Sequence, residues 1–266
     1  MPPATDASAT VWDPAQYLRF GDARLRPALD LLAQVPLAAP ARVVDLGCGP
    51  GTVTHVLRQR YKSAEITGID NSEPMLAKAR EIAPDCRFEA AGFAEWTPPA
   101  PPDLIFSNAA LHWTGGHASL FPALLDRLAP GGVLAVQMPA MHDAPLRRLQ
   151  QEVAATGPWA AILRDVPDTA RAIGAPDTYW NMLRPHARAL DIWETTYLHP
   201  LTGVDPVVEW AAGSSLRPFL AALPPELEAG FRAAYAAALR PHYPRQPDGT
   251  TLLPFRRLFL LATRAG

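Results

Sequence analysis

The chain has 266 residues, of which 48% are hydrophobic, and its formal net charge at pH 7 is −2. It is long for one domain and short for two, so we expect a single domain with one α/β core and a cap grown from it. The low net charge excludes a global field that would attract nucleic acid or an anionic membrane surface. Cys48 and Cys86 have neither metal-ligand nor disulfide spacing, which predicts a cytoplasmic location and no bound metal.

Two helices are predicted ahead of the first strand. Asp13 as N-cap followed by Pro14 is a typical helix start. Pro27 is expected to open the second helix. The apolar face of this helix would carry Leu25, Leu29 and Leu32.

A glycine-rich turn organises the first half of the chain. The predicted strand Arg42–Leu46 runs into Gly47-Cys48-Gly49-Pro50-Gly51, and a helix is expected from Thr52 to Tyr61. Glycines let the backbone turn tightly and let a ligand approach without meeting a Cβ. The next strand ends at Asp70, and an acid about 20 residues after such a turn is placed to bind ribose hydroxyls. The sequence therefore predicts a cofactor that contains a nucleoside.

The spacing of the glycines separates two kinds of cofactor. A dinucleotide fingerprint reads G-x-G-x-x-G and sets the pyrophosphate on a helix N-terminus. Here Gly51 comes one residue early, and Pro50 removes a backbone N–H that a pyrophosphate would use. An NAD-dependent oxidoreductase is therefore disfavoured. A cofactor with a zwitterionic amino-acid tail and no phosphate fits better, which indicates S-adenosylmethionine.

The remaining pattern predicts five further strands and two helical insertions. The strands are expected at about 87–89, 103–108, 133–138, 189–197 and 255–263. The fold class is therefore α/β, with a mostly parallel seven-stranded sheet flanked by helices. The sheet core is expected at about 36–139, 187–201 and 247–266. A helical lid over the carboxyl edge of the sheet is expected at about 11–30, 140–186 and 202–246.

These motifs resemble a known family. The segment from Asp45 to Gly51, together with Asp70, Asn108 and the seven-strand plan, resembles the Rossmann-like class I S-adenosylmethionine-dependent methyltransferases. A closer resemblance to the bacterial trans-aconitate 2-methyltransferases rests on residues 66–70, 103–106, 132–139, 191–193, 213–218 and 257–259, and it spans nearly the whole chain. Two positions depart from the family pattern. Thr52 replaces a frequent Asn, and Gly92 replaces an acid next to the adenine, for which Glu89 or Glu95 is a candidate substitute.

The resemblance implies methyl ester formation on a carboxylate of the tricarboxylate trans-aconitate. Its candidate cofactor-binding residues are Asp45, Gly47, Gly49, Gly51, Asp70, Asn71, Met75, Gly92, Phe93 and Asn108. Carboxylates have pKa values near 4, so the nucleophile is already an anion at neutral pH and no general base is required. Positioning then falls to Arg217, in a Leu-Arg-Pro motif, and to His112.

Substrate binding requires cations for the other carboxylates, and arginine forks suit this task. The candidate substrate-binding residues are Arg217, Arg24, Arg26, Trp113, Tyr179, Tyr197, His199 and Arg257. Four histidines without metal spacing are expected at the surface. These are His117, His142, His186 and His242.

Other functions remain open on the sequence alone. The acceptor could be another small acid, the free carboxylate of a malonyl thioester or a natural-product carbon. A regulatory protein that binds S-adenosylmethionine without turnover belongs to a different class. Clustered arginines would favour the polycarboxylate as acceptor. An apolar pocket would favour the carbon acceptor, and a basic groove would favour the thioester. We expect a small-molecule substrate, no nucleic-acid or membrane partner, and a monomer or weak homo-oligomer.

Overall fold

The computed structural model describes residues 21–166 and 173–266, with the side chains of residues 21–24 excepted. The helix predicted at Asp13 and Pro14 lies outside the described residues. The strands are β1 (Arg42–Leu46), β2 (Glu65–Asp70), β3 (Arg87–Ala90), β4 (Leu104–Asn108), β5 (Val133–Pro139), β6 (Ala187–Leu201) and β7 (Thr251–Arg264). The helices are α1 (Gly21–Gln34), α2 (Thr52–Arg60), α3 (Glu73–Ile82), α4 (His117–Arg127), α5 (Pro145–Ala154), α6 (Ala160–Leu163), α7 (Pro176–Leu183), α8 (Pro206–Ala212), α9 (Arg217–Ala222) and α10 (Pro225–Leu239).

The seven strands form one sheet in the order β3-β2-β1-β4-β5-β7-β6. The neighbours from β3 to β5 pair in parallel, and β7 pairs antiparallel with β5. This confirms the predicted mostly parallel sheet. The strand order reverses at β1 and β4, which is where open α/β sheets bind ligands beyond the carboxyl ends of their strands.

Each strand divides its side chains between two apolar layers. On one face, Val44, Ile105 and Leu134 pack with α4 and α7. On the other face, Val43 and Leu104 pack with residues of α1 and α2. Successive side chains of a strand point to opposite faces, so burial on both sides requires the nearly continuous apolar runs that the sequence contains.

The start of α1 differs from the prediction. The helix runs from Gly21 and contains Pro27 in its interior, so Pro27 does not open the helix as predicted. Its buried aliphatic positions are Ala28, Leu31 and Leu32, with Val35 buried just beyond the helix, whereas Leu29 is 44% exposed. The buried spacing is i, i+3, i+4 and i+7, so the apolar stripe falls one residue away from Leu29.

The chain divides into two compact units. Among the described residues, one comprises 24–143, 173–199 and 254–266 and contains most of the sheet, and the other comprises 21–23, 144–166 and 200–253. The helix α7 therefore belongs with the sheet and not with the expected lid, because Tyr179 and Leu183 are fully buried in the layer beside α4. The residues of α1 from Arg24 onward also group with the sheet, whereas the sequence analysis placed residues 11–30 in the lid.

The second unit has its own core of aromatic and polar contacts. Trp159 packs edge-on against Phe231 with ring centroids 5.3 Å apart. The Tyr235 hydroxyl donates to the Leu146 carbonyl at 2.5 Å, and the Gln150 amide donates to the Ser215 carbonyl at 3.0 Å. These bonds join α5 to α10 and to the segment before α9. The role of this unit as a lid stays a prediction.

Within residues 21–166 and 173–266, no helix combines the length and apolar character needed to cross a bilayer.

Candidate functional site

The turn after β1 needs glycine at two positions for different reasons. Gly47, with φ +81°, has no room for a side chain, because a Cβ there would lie 2.2 Å from the Ala110 Cβ. At Gly51, with φ +86°, an added Cβ would lie 2.8 Å from the Ala79 Cα. By contrast, a Cβ at Gly49 would meet nothing within 4 Å. The turn therefore packs tightly at both ends and leaves an open concavity at its centre.

Asp70, at the tip of β2, holds this turn in place. Its Oδ2 accepts a hydrogen bond from the Gly49 N–H at 2.9 Å, and its Oδ1 accepts one from the Ser72 N–H at 2.9 Å. An ionised carboxylate has about four acceptor positions, so capacity remains on both oxygens. The side chain is thus placed both to fix the glycine turn and to accept ribose hydroxyls.

Asp45 is a buried acid beneath the turn. It is 1% exposed, and its Oδ2 accepts a hydrogen bond from the Thr54 hydroxyl of α2 at 2.6 Å. Burial raises the pKa of the Asp45 carboxyl to about 7, the Thr54 hydrogen bond lowers it, and the nearby charge of Asp70 raises it. Asp45 therefore changes its charge near neutral pH beside a site for a charged ligand.

We expect the Asp45→Asn substitution to flatten the pH dependence of stability. The folded pKa of about 7 lies above the ordinary value of about 4, so between these values the folded protein holds a proton that the unfolded chain has released. Stability of the wild type should therefore fall as pH rises from about 4 to 7, by up to about 4 kcal/mol. Urea unfolding of the cofactor-free proteins between pH 4.5 and 8 measures this. The two proteins should differ least at pH 4.5, and parallel profiles would contradict the assignment.

The end of β4 contains a strained residue that the sequence did not reveal. Ala109 has φ +52°, in the left-handed region that residues with a side chain seldom adopt. Its N–H donates to the Gln137 carbonyl at 2.9 Å. The unusual backbone turns the chain so that Ala110 packs on Gly47. Strain of this kind costs roughly 1–3 kcal/mol and is typical of ligand sites.

The loop after β3 lies beside the same turn. Two ring carbons of Phe93 would lie 3.4 Å from a Cβ on Gly47, so its ring forms one wall of the site. Asn71 is exposed at the start of the β2–α3 connection, and Met75 is 8% exposed on the first turn of α3. A concavity without Cβ atoms, an acid with free acceptor positions and a flat aromatic wall together fit a nucleoside with an amino-acid tail.

Comparison with known proteins decides the family. A methyltransferase-domain model matches residues 43–132. A trans-aconitate 2-methyltransferase of Methylobacterium nodulans is 53% identical over 253 residues, covering 95% of this chain and 98% of that protein. One from Paracidovorax citrulli is 47% identical over 257 residues, covering 96% and 98%. The chain belongs to the trans-aconitate 2-methyltransferase family. This confirms the resemblance read from the sequence and identifies a methyltransferase that uses S-adenosylmethionine.

Solved structures confirm the fold expected of a trans-aconitate 2-methyltransferase family member. The YcgJ protein of Bacillus subtilis superposes with a TM-score of 0.60 at 14% identity, covering 91% of this chain and 99% of that one. Phosphoethanolamine N-methyltransferase 2 of Haemonchus contortus, solved with S-adenosyl-L-methionine, gives a TM-score of 0.54 at 15% identity, covering 91% and 53%. At these identities the likeness concerns the fold alone.

In this family member, a polar cluster lies at the carboxyl ends of β4 and β5. Asn108 and Gln137 are register partners, so their side chains leave the same face of the sheet. Arg257 of β7, 3% exposed, donates from Nη1 to the Gln137 Oε1 at 3.1 Å and stacks 4.7 Å from the Phe255 ring centre. Asn108 Oδ1 and Gln137 Nε2 are buried without a hydrogen-bond partner in residues 21–166 and 173–266. Buried polar atoms of this kind indicate a ligand or a bound water.

Arg217 is the first residue of α9, in the unit formed by the insertions. It is half-buried, and its guanidinium makes no hydrogen bond or ion pair within the described part of the chain. It therefore remains available for an anion, and its role in substrate binding stays a prediction.

Two other candidates are engaged on the sheet surface. The Tyr197 hydroxyl donates to the Asp30 Oδ2 at 2.6 Å, and Arg26 lies 3.9 Å from the same oxygen and 5.4 Å from the Tyr197 ring centre. These contacts fasten β6 to α1. The Tyr197 hydroxyl is therefore used by Asp30, and the role of Arg26 and Tyr197 in substrate binding stays a prediction.

Tyr179 is also a structural residue. It is fully buried, and its hydroxyl lies 2.7 Å from His117 Nδ1 while accepting a hydrogen bond from the Gly174 N–H at 3.3 Å. His117 Nε2 lies 2.9 Å from the Leu111 carbonyl, so Nε2 carries the proton and Nδ1 accepts from the tyrosine. Burial raises the Tyr179 pKa to about 12. His117 is thus part-buried and bonded, and its expected surface position was wrong.

The remaining substrate candidates lie at the same end of the sheet. His112 is half-buried on the 3₁₀ turn after β4, with its ring centroid 4.6 Å from that of Trp113, which is 49% exposed. His199 is 7% exposed and packs edge-on against Phe255. The side chain of Arg24 lies outside the described residues.

Sequence reasoning missed Gln137, although a glutamine inside the apolar run of β5 is itself a signal of a buried polar contact.

Proposed function

We propose that the protein transfers the methyl group of S-adenosylmethionine to a carboxylate of trans-aconitate and so forms its monomethyl ester. The observation that carries this proposal is the buried Arg257 guanidinium, oriented by Gln137 at the carboxyl edge of the sheet that also bears the glycine turn. Weak screening in buried surroundings strengthens the attraction between a guanidinium and a carboxylate. Membership of the trans-aconitate 2-methyltransferase family supports the same acceptor.

The residues around the glycine turn fit the cofactor. Gly49 leaves space for its amino-acid tail, Asp70 would accept the ribose hydroxyls, and Phe93 would flank the base. When bound, S-adenosylmethionine supplies a methyl group that its positive sulfur has already activated for transfer.

The residues of the chain then have to position the acceptor and exclude water. A carboxylate is ionised at neutral pH, so no side chain needs to remove a proton. Arg257 would hold one carboxylate of the acid through paired hydrogen bonds. His112, at the end of β4, would form a wall or donate a hydrogen bond to the substrate. Holding the reacting atoms in line can supply roughly 7–11 kcal/mol of the barrier reduction.

An acceptor panel tests this function. The protein is incubated with S-adenosylmethionine and one acid at a time, and methyl esters are detected by mass spectrometry. The panel contains trans-aconitate, cis-aconitate, citrate, itaconate and a malonyl thioester. We expect the highest kcat/KM with trans-aconitate, the acid for which the family is named, and a lower value with the malonyl thioester, whose one free carboxylate is the one that would be methylated. A thioester that reacts faster, or cofactor binding without turnover of any acid, would contradict the proposal.

We further propose that the enzyme acts in the cytoplasm as a monomer or weak homo-oligomer. The free thiols Cys48 and Cys86 suit a reducing compartment. Light scattering of the purified protein and cell fractionation measure these two properties.

A further inference from the structure

The loop after β3 brings an acidic side chain to the position of a missing one. If Gly92 carried a Cβ, that atom would lie 2.2 Å from Glu95 Oε2 and 3.3 Å from its Cδ. The Trp96 N–H donates to the Gly92 carbonyl at 3.0 Å, which closes the segment into a turn. The Glu95 carboxylate therefore occupies the space that a side chain at position 92 would fill.

The order of the strands locates this carboxylate relative to the cofactor site. The turn holding Gly47 follows β1, Asp70 ends the neighbouring strand β2, and the Gly92–Glu95 loop follows the next strand β3. Phe93 belongs to the loop after β3, and its ring approaches Gly47 in the turn after β1, so it connects these two loops. A nucleoside whose ribose lies at Asp70 and whose amino-acid tail lies at the turn extends its base toward Glu95.

Arg127 of α4 fixes the loop through its backbone carbonyls. Its Nη1 donates to the Phe93 carbonyl at 3.0 Å and its Nη2 to the Ala94 carbonyl at 2.7 Å, and its guanidinium lies over the buried Trp96 ring. Burial lowers the pKa of Arg127, and the charge of Glu95 opposes that shift. The Glu95 carboxylate itself is exposed and accepts no hydrogen bond from another described residue. It is thus held near the site with its acceptor positions available.

We propose that Glu95 accepts a hydrogen bond from the exocyclic amino group of the cofactor's adenine and selects adenine over hypoxanthine. This assignment rests on the proposed function, because it requires the cofactor in the site described above. A carboxylate can only accept hydrogen bonds. Adenine offers it an amino donor, whereas hypoxanthine has a carbonyl oxygen at that position, which a carboxylate repels. Arg127 is a positioning residue that orients the loop through the two carbonyls.

Calorimetry on the cofactor-free protein tests the assignment without turnover. S-adenosylhomocysteine and S-inosylhomocysteine are titrated into the wild type, Glu95→Gln and the matched control Glu89→Gln. Glu89 is an exposed acid on β3, in register with Ile69. We expect the wild type and the control to prefer the adenosyl ligand by at least about tenfold. Glu95→Gln should lose most of that preference, because an amide both donates and accepts.

Gly92→Ala gives a second test that leaves the carboxylate intact. The new Cβ would displace the Glu95 carboxylate, so this variant should show the same loss of preference. The double variant should lose no more than either single variant, since both remove one interaction. Unchanged preference in Glu95→Gln with tight adenosyl binding would overturn the inference, as would equal losses in Glu89→Gln. Failure of the wild type to bind either ligand would instead overturn the proposed function.

Discussion

Replacing Asp70 by alanine is expected to raise the Kd of S-adenosylhomocysteine at least about 100-fold. Two effects combine. The carboxylate that would accept the ribose hydroxyls is lost, and hydrogen bonds to a charged group contribute roughly 1.5–3 kcal/mol each. The N–H groups of Gly49 and Ser72 also lose the acceptor that holds the glycine turn. Asp70→Asn keeps one acceptor oxygen and should show a smaller loss.

A ligand comparison separates these two effects of Asp70. In calorimetry, the 2′-deoxy analogue should bind the wild type more weakly than S-adenosylhomocysteine and should bind Asp70→Ala about equally. Glu81→Ala, at an exposed acid of α3, is the control and should keep wild-type affinity. Equal affinity of Asp70→Ala and the wild type would remove Asp70 from the ribose site.

The second large effect is expected at Arg217. Arg217→Ala should raise KM for trans-aconitate at least about tenfold, because a guanidinium contributes roughly 1.5–3 kcal/mol per hydrogen bond to a carboxylate. The affinity for S-adenosylhomocysteine should not change. Arg217→Lys keeps the charge but loses the planar fork, so its KM should lie between those of Arg217→Ala and the wild type.

Arg232 provides a matched control for Arg217. It is a half-buried arginine of the same unit, but its guanidinium already pairs with Glu228 at 2.8 Å and Glu209 at 3.6 Å. Arg232→Ala should therefore leave KM unchanged. Identical steady-state kinetics in Arg217→Ala and the wild type would exclude Arg217 from substrate binding.

Features encoded locally could be predicted from the sequence. The glycine turn was predicted correctly because φ values of +81° and +86° leave glycine as the favoured residue at Gly47 and Gly51. Nearly continuous apolar runs likewise allowed β4 and β5 to be predicted as strands, because both of their faces are buried. The prediction of these elements and of the mostly parallel sheet needed only short stretches of chain.

Features that depend on distant partners could not be predicted. Tyr179 and Tyr197 looked like substrate donors, but their hydroxyls bond to residues 62 and 167 positions away. The close packing of Ala110 on Gly47 could not be predicted either, because these two residues are far apart in the sequence. Gln137 was missed because its relation to Arg257 arises only when β7 pairs with β5. Polar side chains therefore need the sheet register before their roles can be assigned.

The strand order has a consequence for synthesis on the ribosome. β7 lies between β5 and β6 in the sheet, yet it is translated after both of them and after both helical insertions. Until β7 emerges, β5 presents an open apolar edge, and β6 has no neighbour with which to pair. Open edges of this kind recruit strands from other chains. The nascent polypeptide should therefore depend on holding chaperones until β7 inserts, and slowing translation ahead of β7 should increase aggregation.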